Sequence, residues 1–139
     1  VSSNQTRRGL VYTTTAQDPA HNQFNIRFDK TAPPYDELQA VYQVNGQATF
    51  ALASGLVWAA ETWHHLAVTW DEDRLILYVD GVAAGQNRLP SERLDIRHPL
   101  VIGTVFGNEA CADFDELAIW PVTLTAEQIA ELAKQGRQP

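Results

Sequence analysis

The sequence predicts an all-β fold, an antiparallel sandwich or barrel with one short helix close to its end. Three observations carry that prediction. Apolar residues alternate with a period of two through most of residues 9–120. The alternating runs are short, recur at roughly ten-residue spacing, and are punctuated by Gly, Asn, Asp and Pro. One segment near the end carries helix signals instead. Units of βαβ type are excluded, because they require helical patterns between successive strands.

In chain order, strands are expected over Leu10–Thr15, Gln23–Phe28, Leu38–Val44, Thr49–Ala53, Trp63–Trp70, Leu75–Asp80, Leu100–Gly103 and Phe114–Trp120. The breakers between them are Asp18-Pro19, Pro33-Pro34, Asn45-Gly46, Ser54-Gly55, Asp80-Gly81 and Gly107-Asn108. Asn45-Gly46 and Asp80-Gly81 are the best hairpin signals, because a type I′ turn needs positive φ at both central residues. The helix is read from Thr125-Ala126-Glu127-Gln128, a capping box with Thr125 as N-cap. Ile129, Leu132 and Ala133 form its apolar stripe, Lys134 suits its last turn and Gly136 its stop. So short a helix is unstable alone and must dock onto the sheets.

Composition narrows the function classes. The chain has 139 residues, 45% hydrophobic and 19% charged, an ordinary globular balance for one domain. Seventeen acidic against ten basic residues give a net charge of −7, which argues against non-specific binding to nucleic acid or an anionic membrane. No apolar run approaches the ~20 residues of a membrane span, so no membrane insertion is expected. A single cysteine, Cys111, excludes an internal disulfide and any CxxC zinc or redox motif. The chain begins at Val1 and contains no methionine, so a processed chain or a piece of a longer one is expected.

The two central strands lack a plainly wet face. Leu66, Val68 and Trp70 alternate with Ala67 and Thr69, and Leu75, Leu77 and Val79 alternate with Ile76 and Tyr78. A simple two-layer sandwich shows apolar-in and polar-out. Here the outer face is expected to be covered by loops or helix, or to line a groove.

The ordered series Thr62-Trp63-His64-His65-Leu66-Ala67-Val68-Thr69-Trp70, Leu75-Ile76-Leu77-Tyr78-Val79-Asp80-Gly81, Leu100-Val101-Ile102-Gly103, Phe114-Asp115-Glu116-Leu117-Ala118-Ile119-Trp120 and Leu124-Thr125-Ala126-Glu127-Gln128-Ile129 resembles a known family. The family is that of laminin G-like, concanavalin A-like jelly-roll domains. The resemblance implies an antiparallel β-sandwich of jelly-roll type and an extracellular or cell-surface location. It leaves the function open, because the superfamily holds lectins, carbohydrate-binding modules, adhesion domains and glycoside hydrolases. The expected function is a non-catalytic binding or adhesion module that contacts a glycan or glycoprotein and works beside other domains of its chain or a neighbouring subunit. The alternative is an assembly domain that pairs through an exposed strand edge. The family's opening strand pair has little room ahead of residues 9–60. Leu10–Thr15 is therefore expected to present an unpaired edge unless another segment covers it.

Catalytic templates fail. Glycoside hydrolysis on this fold needs two flanking carboxylates, which the laminarinase-type family that the chain would then resemble presents as Glu-x-Asp-x-x-Glu on one strand. Asp113-Phe114-Asp115-Glu116-Leu117-Ala118 has Asp at the first position and Ala118 at the last. Ser54-Gly55 lacks the first glycine of a nucleophile elbow. Adjacent His64 and His65 point to opposite faces of a strand and cannot chelate one metal; His65 reads as a core histidine. Asp71-Glu72-Asp73-Arg74 lacks the Gly and Glu of an EF-hand and reads as a solvated hairpin turn.

The aromatic candidates for stacking on a sugar are Trp58, Tyr78 and Trp70, while Trp63 and Trp120 read as core residues. Trp58 is the strongest of them, because it sits in a breaker-flanked stretch. Asn4-Gln5-Thr6 fits the N-glycosylation pattern. By the resemblance, Asp115 is a Ca²⁺ ligand, with Asp113 on the same face and Asn108, among the carbonyls of 107–109, supplying further oxygens. The competing reading has Asp115 accept backbone N–H bonds and pin a turn.

Overall fold

The computed structural model describes residues 7–13, 22–29, 37–96, 98–105, 108–110 and 112–136. The Asn4-Gln5-Thr6 pattern, Asp18-Pro19, Pro33-Pro34, Gly107, Cys111 and the last two residues of the expected strand Leu10–Thr15 lie outside them. The strands are β1 (Arg7–Thr13), β2 (Gln23–Asp29), β3 (Leu38–Val44), β4 (Gln47–Ala53), β5 (Leu66–Trp70), β6 (Arg74–Val79), β7 (Val82–Arg88), β8 (Leu100–Ile102), β9 (Thr104–Val105) and β10 (Asn108–Glu109). The helix, α1, covers Ala126–Gln135.

Two antiparallel sheets form, as the alternation requires. One has the order β4-β3-β2-β1-β8 and the other β5-β6-β7, while β9 and β10 make a small ribbon. Both hairpin signals act as read. Asn45 and Gly46 join β3 to β4 with φ of 50° and 77°, and Asp80 and Gly81 join β6 to β7 with 54° and 83°. These are left-handed positions, which suit the twist of a two-residue turn.

Register then decides what is buried. Leu38, Ala40, Tyr42 and Val44 on β3 face Ala51 and Ala53 on β4, and meet Leu75 and Leu77 of β6 across the sandwich. The second sheet sits over the β3–β4 side of the first, where β7 runs against β4. At that crossing Gly85 of β7 lies on the backbone of Leu52, closer than any side chain would permit. Asn87 Nδ2 donates to the Phe50 carbonyl 3.0 Å away at the same seam.

The helix forms as its capping box dictates. Thr125 Oγ1 accepts the Gln128 N–H, and the Gln128 side chain accepts the Thr125 N–H at 2.8 Å. Ile129 and Ala133 are buried, and Ala130 and Ala133 close over Gly81, so the helix docks beside the start of β7. No helix among the described residues is long and apolar enough to cross a membrane.

Three expectations are corrected. β1 is paired on both sides, with β2 and with β8, so its described residues Leu10–Thr13 are no free edge. Phe114–Trp120 does not form a strand. Glu116 turns to φ 53° and the Asp115 carboxylate accepts its N–H at 2.8 Å, which breaks the extended course the alternation suggested. Leu117 and Ile119 are consequently exposed instead of forming a core face. Trp63 and Trp120 are exposed as well, not core residues: Trp63 precedes β5 and Trp120 belongs to that same unpaired run.

Candidate functional site

The predicted aromatics do not converge. Trp58 and Trp70 lie at opposite ends of the β5–β6 hairpin, and Tyr78 lies between them on the other face. In β6 the core takes Leu75, Leu77 and Val79, so Tyr78 points away from it. It is only 3% exposed and presents no ring face to solvent.

Trp58 is held in a side-chain cluster. His64 stacks on it with centroids 4.2 Å apart and planes 13° apart, and Phe28 meets it edge-on at 5.1 Å. His64 is itself fixed on both nitrogens. Nδ1 is 2.9 Å from Asp80 Oδ2, and Nε2 is 3.1 Å from Thr62 Oγ1, whose hydroxyl donates to the Ala59 carbonyl. One ring face of Trp58 is therefore already covered by protein. Asp80 serves the turn twice, because its other oxygen accepts the His65 N–H.

Trp70 stands in a different setting. It ends β5 with its ring tilted against Phe24, centroids 5.0 Å apart, and keeps 37% of its surface exposed. Beside it opens a cleft of about 320 Å³ lined by Tyr42, Asp71, Glu72, Arg93, Leu94 and Thr123. A second lobe of about 240 Å³ shares Tyr42, Asp71, Glu72 and Arg93 and extends to Pro90, Ser91 and Glu92. The larger lobe lies at the lower end of the range of small-ligand sites, about 300–1,000 Å³.

Local structure fixes each wall of this cleft. The turn between β5 and β6 is organised by Asp71, whose Oδ1 accepts the N–H groups of Asp73 and Arg74 at 2.7 and 2.8 Å. Those two backbone donors, with the Arg74 charge adding to them, hold the Asp71 carboxyl below its ordinary value. Asp71 therefore stays ionised at neutral pH and is no proton donor. Glu72 pairs with Arg93 across the mouth. At the floor, the Tyr42 hydroxyl accepts the Leu94 N–H at 2.6 Å, which ties the 89–94 segment to the core. Thr123 Oγ1 donates to the Trp70 carbonyl at 2.7 Å and closes the other side.

Of the sequence candidates, only Trp70 lines this cleft. Asp71, Glu72, Arg93, Leu94, Thr123 and the Tyr42 hydroxyl were not legible as a site. Glu72 and Arg93 are 21 positions apart, and no motif links them. Asp71 builds the turn that its sequence suggests, and that turn is a wall of the cleft.

The acidic candidates for calcium lie elsewhere. Asp113 and Asp115 are exposed, and Asp115 pins the turn at Glu116, as the competing reading expects. Asn108 is in β10 by its backbone, while its side chain falls outside what is described. Among the described residues no three His, Cys, Asp or Glu side chains gather to hold a metal. Two exposed carboxylates fall short of the six to eight oxygens Ca²⁺ takes, so these residues alone do not fit the ion.

A family model described as the concanavalin A-like lectin/glucanases superfamily, of laminin G type, matches residues 1–130. The chain belongs to that superfamily. A comparison with curated proteins finds no match. Among solved structures, the laminin G-like chain is similar to an S-layer domain-containing protein (residues 221–444) from Clostridium thermocellum ATCC 27405. Identity is 17% and the TM-score 0.49, with 96% of this chain covered and 65% of that one. The laminin G-like chain thus spans somewhat under two-thirds of that structure.

Proposed function

We propose that this laminin G-like domain is a non-catalytic extracellular binding module that takes carbohydrate in the Trp70 cleft. The observation that carries the reading is the pairing of a part-exposed indole with converging charged groups. Trp70 offers an apolar platform, while Asp71, Glu72 and Arg93 offer acceptors and donors at its rim. A sugar ring presents that same combination, an apolar C–H face and a rim of hydroxyls. Family membership supports a binding role, and it does not choose the ligand.

The test is a broad glycan array followed by calorimetry on each hit, with Trp70→Ala, Arg93→Ala and Trp58→Ala compared. Binding without sugar release is expected, lost in the first two variants and retained in the third. An array without hits, or binding that survives Trp70→Ala and Arg93→Ala, contradicts the proposal.

A further inference from the structure

The hydrogen bonds around His64 settle where its protons sit. The Ala59 carbonyl only accepts, so the Thr62 hydroxyl directs its one hydrogen there, over 2.6 Å. Thr62 Oγ1 is then the acceptor toward His64 Nε2, 3.1 Å away, and that nitrogen carries a hydrogen. On the other side of the ring, Nδ1 faces Asp80 Oδ2 at 2.9 Å, while Asp80 Oδ1 accepts the His65 N–H. An ionised carboxylate only accepts, so Nδ1 carries a hydrogen as well. The three contacts are made together only when the ring holds both protons and a positive charge.

The surroundings suit that charge. Asp80, from the β6–β7 turn, forms an ion pair with the ring, which keeps 21% of its surface exposed. Trp58 lies parallel to the ring at 4.2 Å, within the range in which an indole face attracts a cation. From β2 the cluster receives Phe28, edge-on to Trp58, while Arg27 and Asp29 beside it point to the opposite face of the sheet and pair at 3.0 Å. From α1 the turn at Gly81 receives Ala130 and Ala133. Within the chain leading to the ring, Glu61 is exposed and precedes Thr62, and His65 follows as the other titratable neighbour.

Loss of one proton undoes the arrangement. Histidine gives up its charge within about pH 5–8. Asp80 retains the hydrogen on Nδ1, so the proton that goes to solvent is the one on Nε2, and Nε2 becomes an acceptor. The Thr62 hydrogen then serves either Nε2 or the Ala59 carbonyl, and one of the two contacts is lost. The cation on the Trp58 face is lost with it. The Ala59–Thr62 bond closes the tight turn that ends the β4–β5 connection, and that connection holds two left-handed residues, Gly55 at φ 73° and Glu61 at φ 61°. We infer that His64 is a pH-operated latch on the β4–β5 connection: protonated, it clamps Trp58 and the Ala59–Thr62 turn to the β6–β7 turn, and deprotonated, it releases them. The clamp is therefore closed on the acid side and opens as pH rises.

The test follows the imidazole nitrogens of ¹⁵N-labelled protein from pH 5 to pH 8, where His21, His64, His65 and His98 are separate reporters. Both His64 nitrogens are expected to carry hydrogen at the acid end. At the alkaline end the remaining hydrogen is expected on Nδ1, the tautomer that Asp80 imposes. The Trp58 indole N–H is expected to shift with the His64 midpoint. Order parameters of the Ala59 and Ala60 methyl axes should fall over the same range, from about 0.85 toward 0.6. In His64→Gln the Trp58 and alanine signals should be flat across that range, and in Thr62→Val the alanines should be loose at both ends while His64 still titrates. A neutral His64 with its hydrogen on Nε2 overturns the inference. So does a His64 titration that leaves Trp58 and the two alanines unmoved, and both readings come from the parent protein without a variant. Persistence of the alanine change in His64→Gln also overturns it and assigns the pH response to another group.

Discussion

Replacing Gly85 by Ala tests how the two sheets are joined. An added Cβ lies 2.6 Å from the Leu52 carbonyl carbon and 2.8 Å from its nitrogen, with the carbonyl oxygen nearer still. All three are backbone atoms, so no rotamer change relieves the overlap, and β4 and β7 must part by about 1 Å to restore carbon contact near 3.5–4.0 Å. A gap of that size forfeits about a quarter to a half of each facing dispersion contact, and overpacking of this kind costs about 1–3 kcal/mol. Losing the Asn87–Phe50 hydrogen bond at the seam adds about 1 kcal/mol. The expected destabilisation is about 3 kcal/mol, read as a lower urea midpoint or a melting point down by on the order of 10 °C. Gly46→Ala is the control. It stiffens the unfolded chain equally, meets nothing within 4 Å, and costs only about 1–2 kcal/mol for its left-handed backbone. If Gly85→Ala melts no lower than Gly46→Ala, the close β4–β7 crossing is wrong.

Thr125→Ala removes the N-cap acceptor and half of the capping box, so urea denaturation is expected to show a loss of about 1 kcal/mol, partly reproduced by Gln128→Ala. The Asp71 carboxyl is held below its unfolded value by the Asp73 and Arg74 N–H groups. Its contribution is therefore present above the unfolded pKa and lost as pH falls through the lower folded one. Stability should drop more steeply below about pH 4 in the parent than in Asp71→Ala, and matching pH profiles would remove the turn's dependence on that charge. Melting with Ca²⁺ and again with EDTA should give equal midpoints, since the described residues around Asp115 do not complete a site. A calcium-dependent rise abolished by Asp115→Ala would restore Asp115 as a ligand.

What the sequence made legible followed from local rules. Asn45-Gly46, Asp80-Gly81 and the Thr125–Gln128 box each act within four residues, and each formed as read. The central strands β5 and β6 are legible as short apolar runs between breakers, and both of their faces are buried in part, with Leu75 and Leu77 on one and Tyr78 and Thr69 on the other. β7 carries no strand signal, because Val82–Arg88 is small and polar and packs through the backbone at Gly85, which leaves no alternation. Phe114–Trp120 misled for the opposite reason: its pattern is that of a strand, but a strand also needs a ladder partner, and among the described residues it has none. The cleft was the least legible feature. Its walls come from positions 42, 70–72, 93–94 and 123, brought together only by the sandwich. Trp70 alone carried a signal, as an aromatic at a strand end, and nothing in the sequence ranked it above Trp58.

The central claim is that ligand enters beside Trp70. The direct measurement is an indole N–H spectrum of ¹⁵N-labelled protein during titration with a glycan that binds on the array. The four tryptophans, Trp58, Trp63, Trp70 and Trp120, report four separate places in the fold. The Trp70 indole resonance is expected to shift and saturate with the same affinity as calorimetry, while the His64-stacked Trp58 stays in place. Saturable movement at Trp58, Trp63 or Trp120 with Trp70 unmoved would contradict the account and relocate the site.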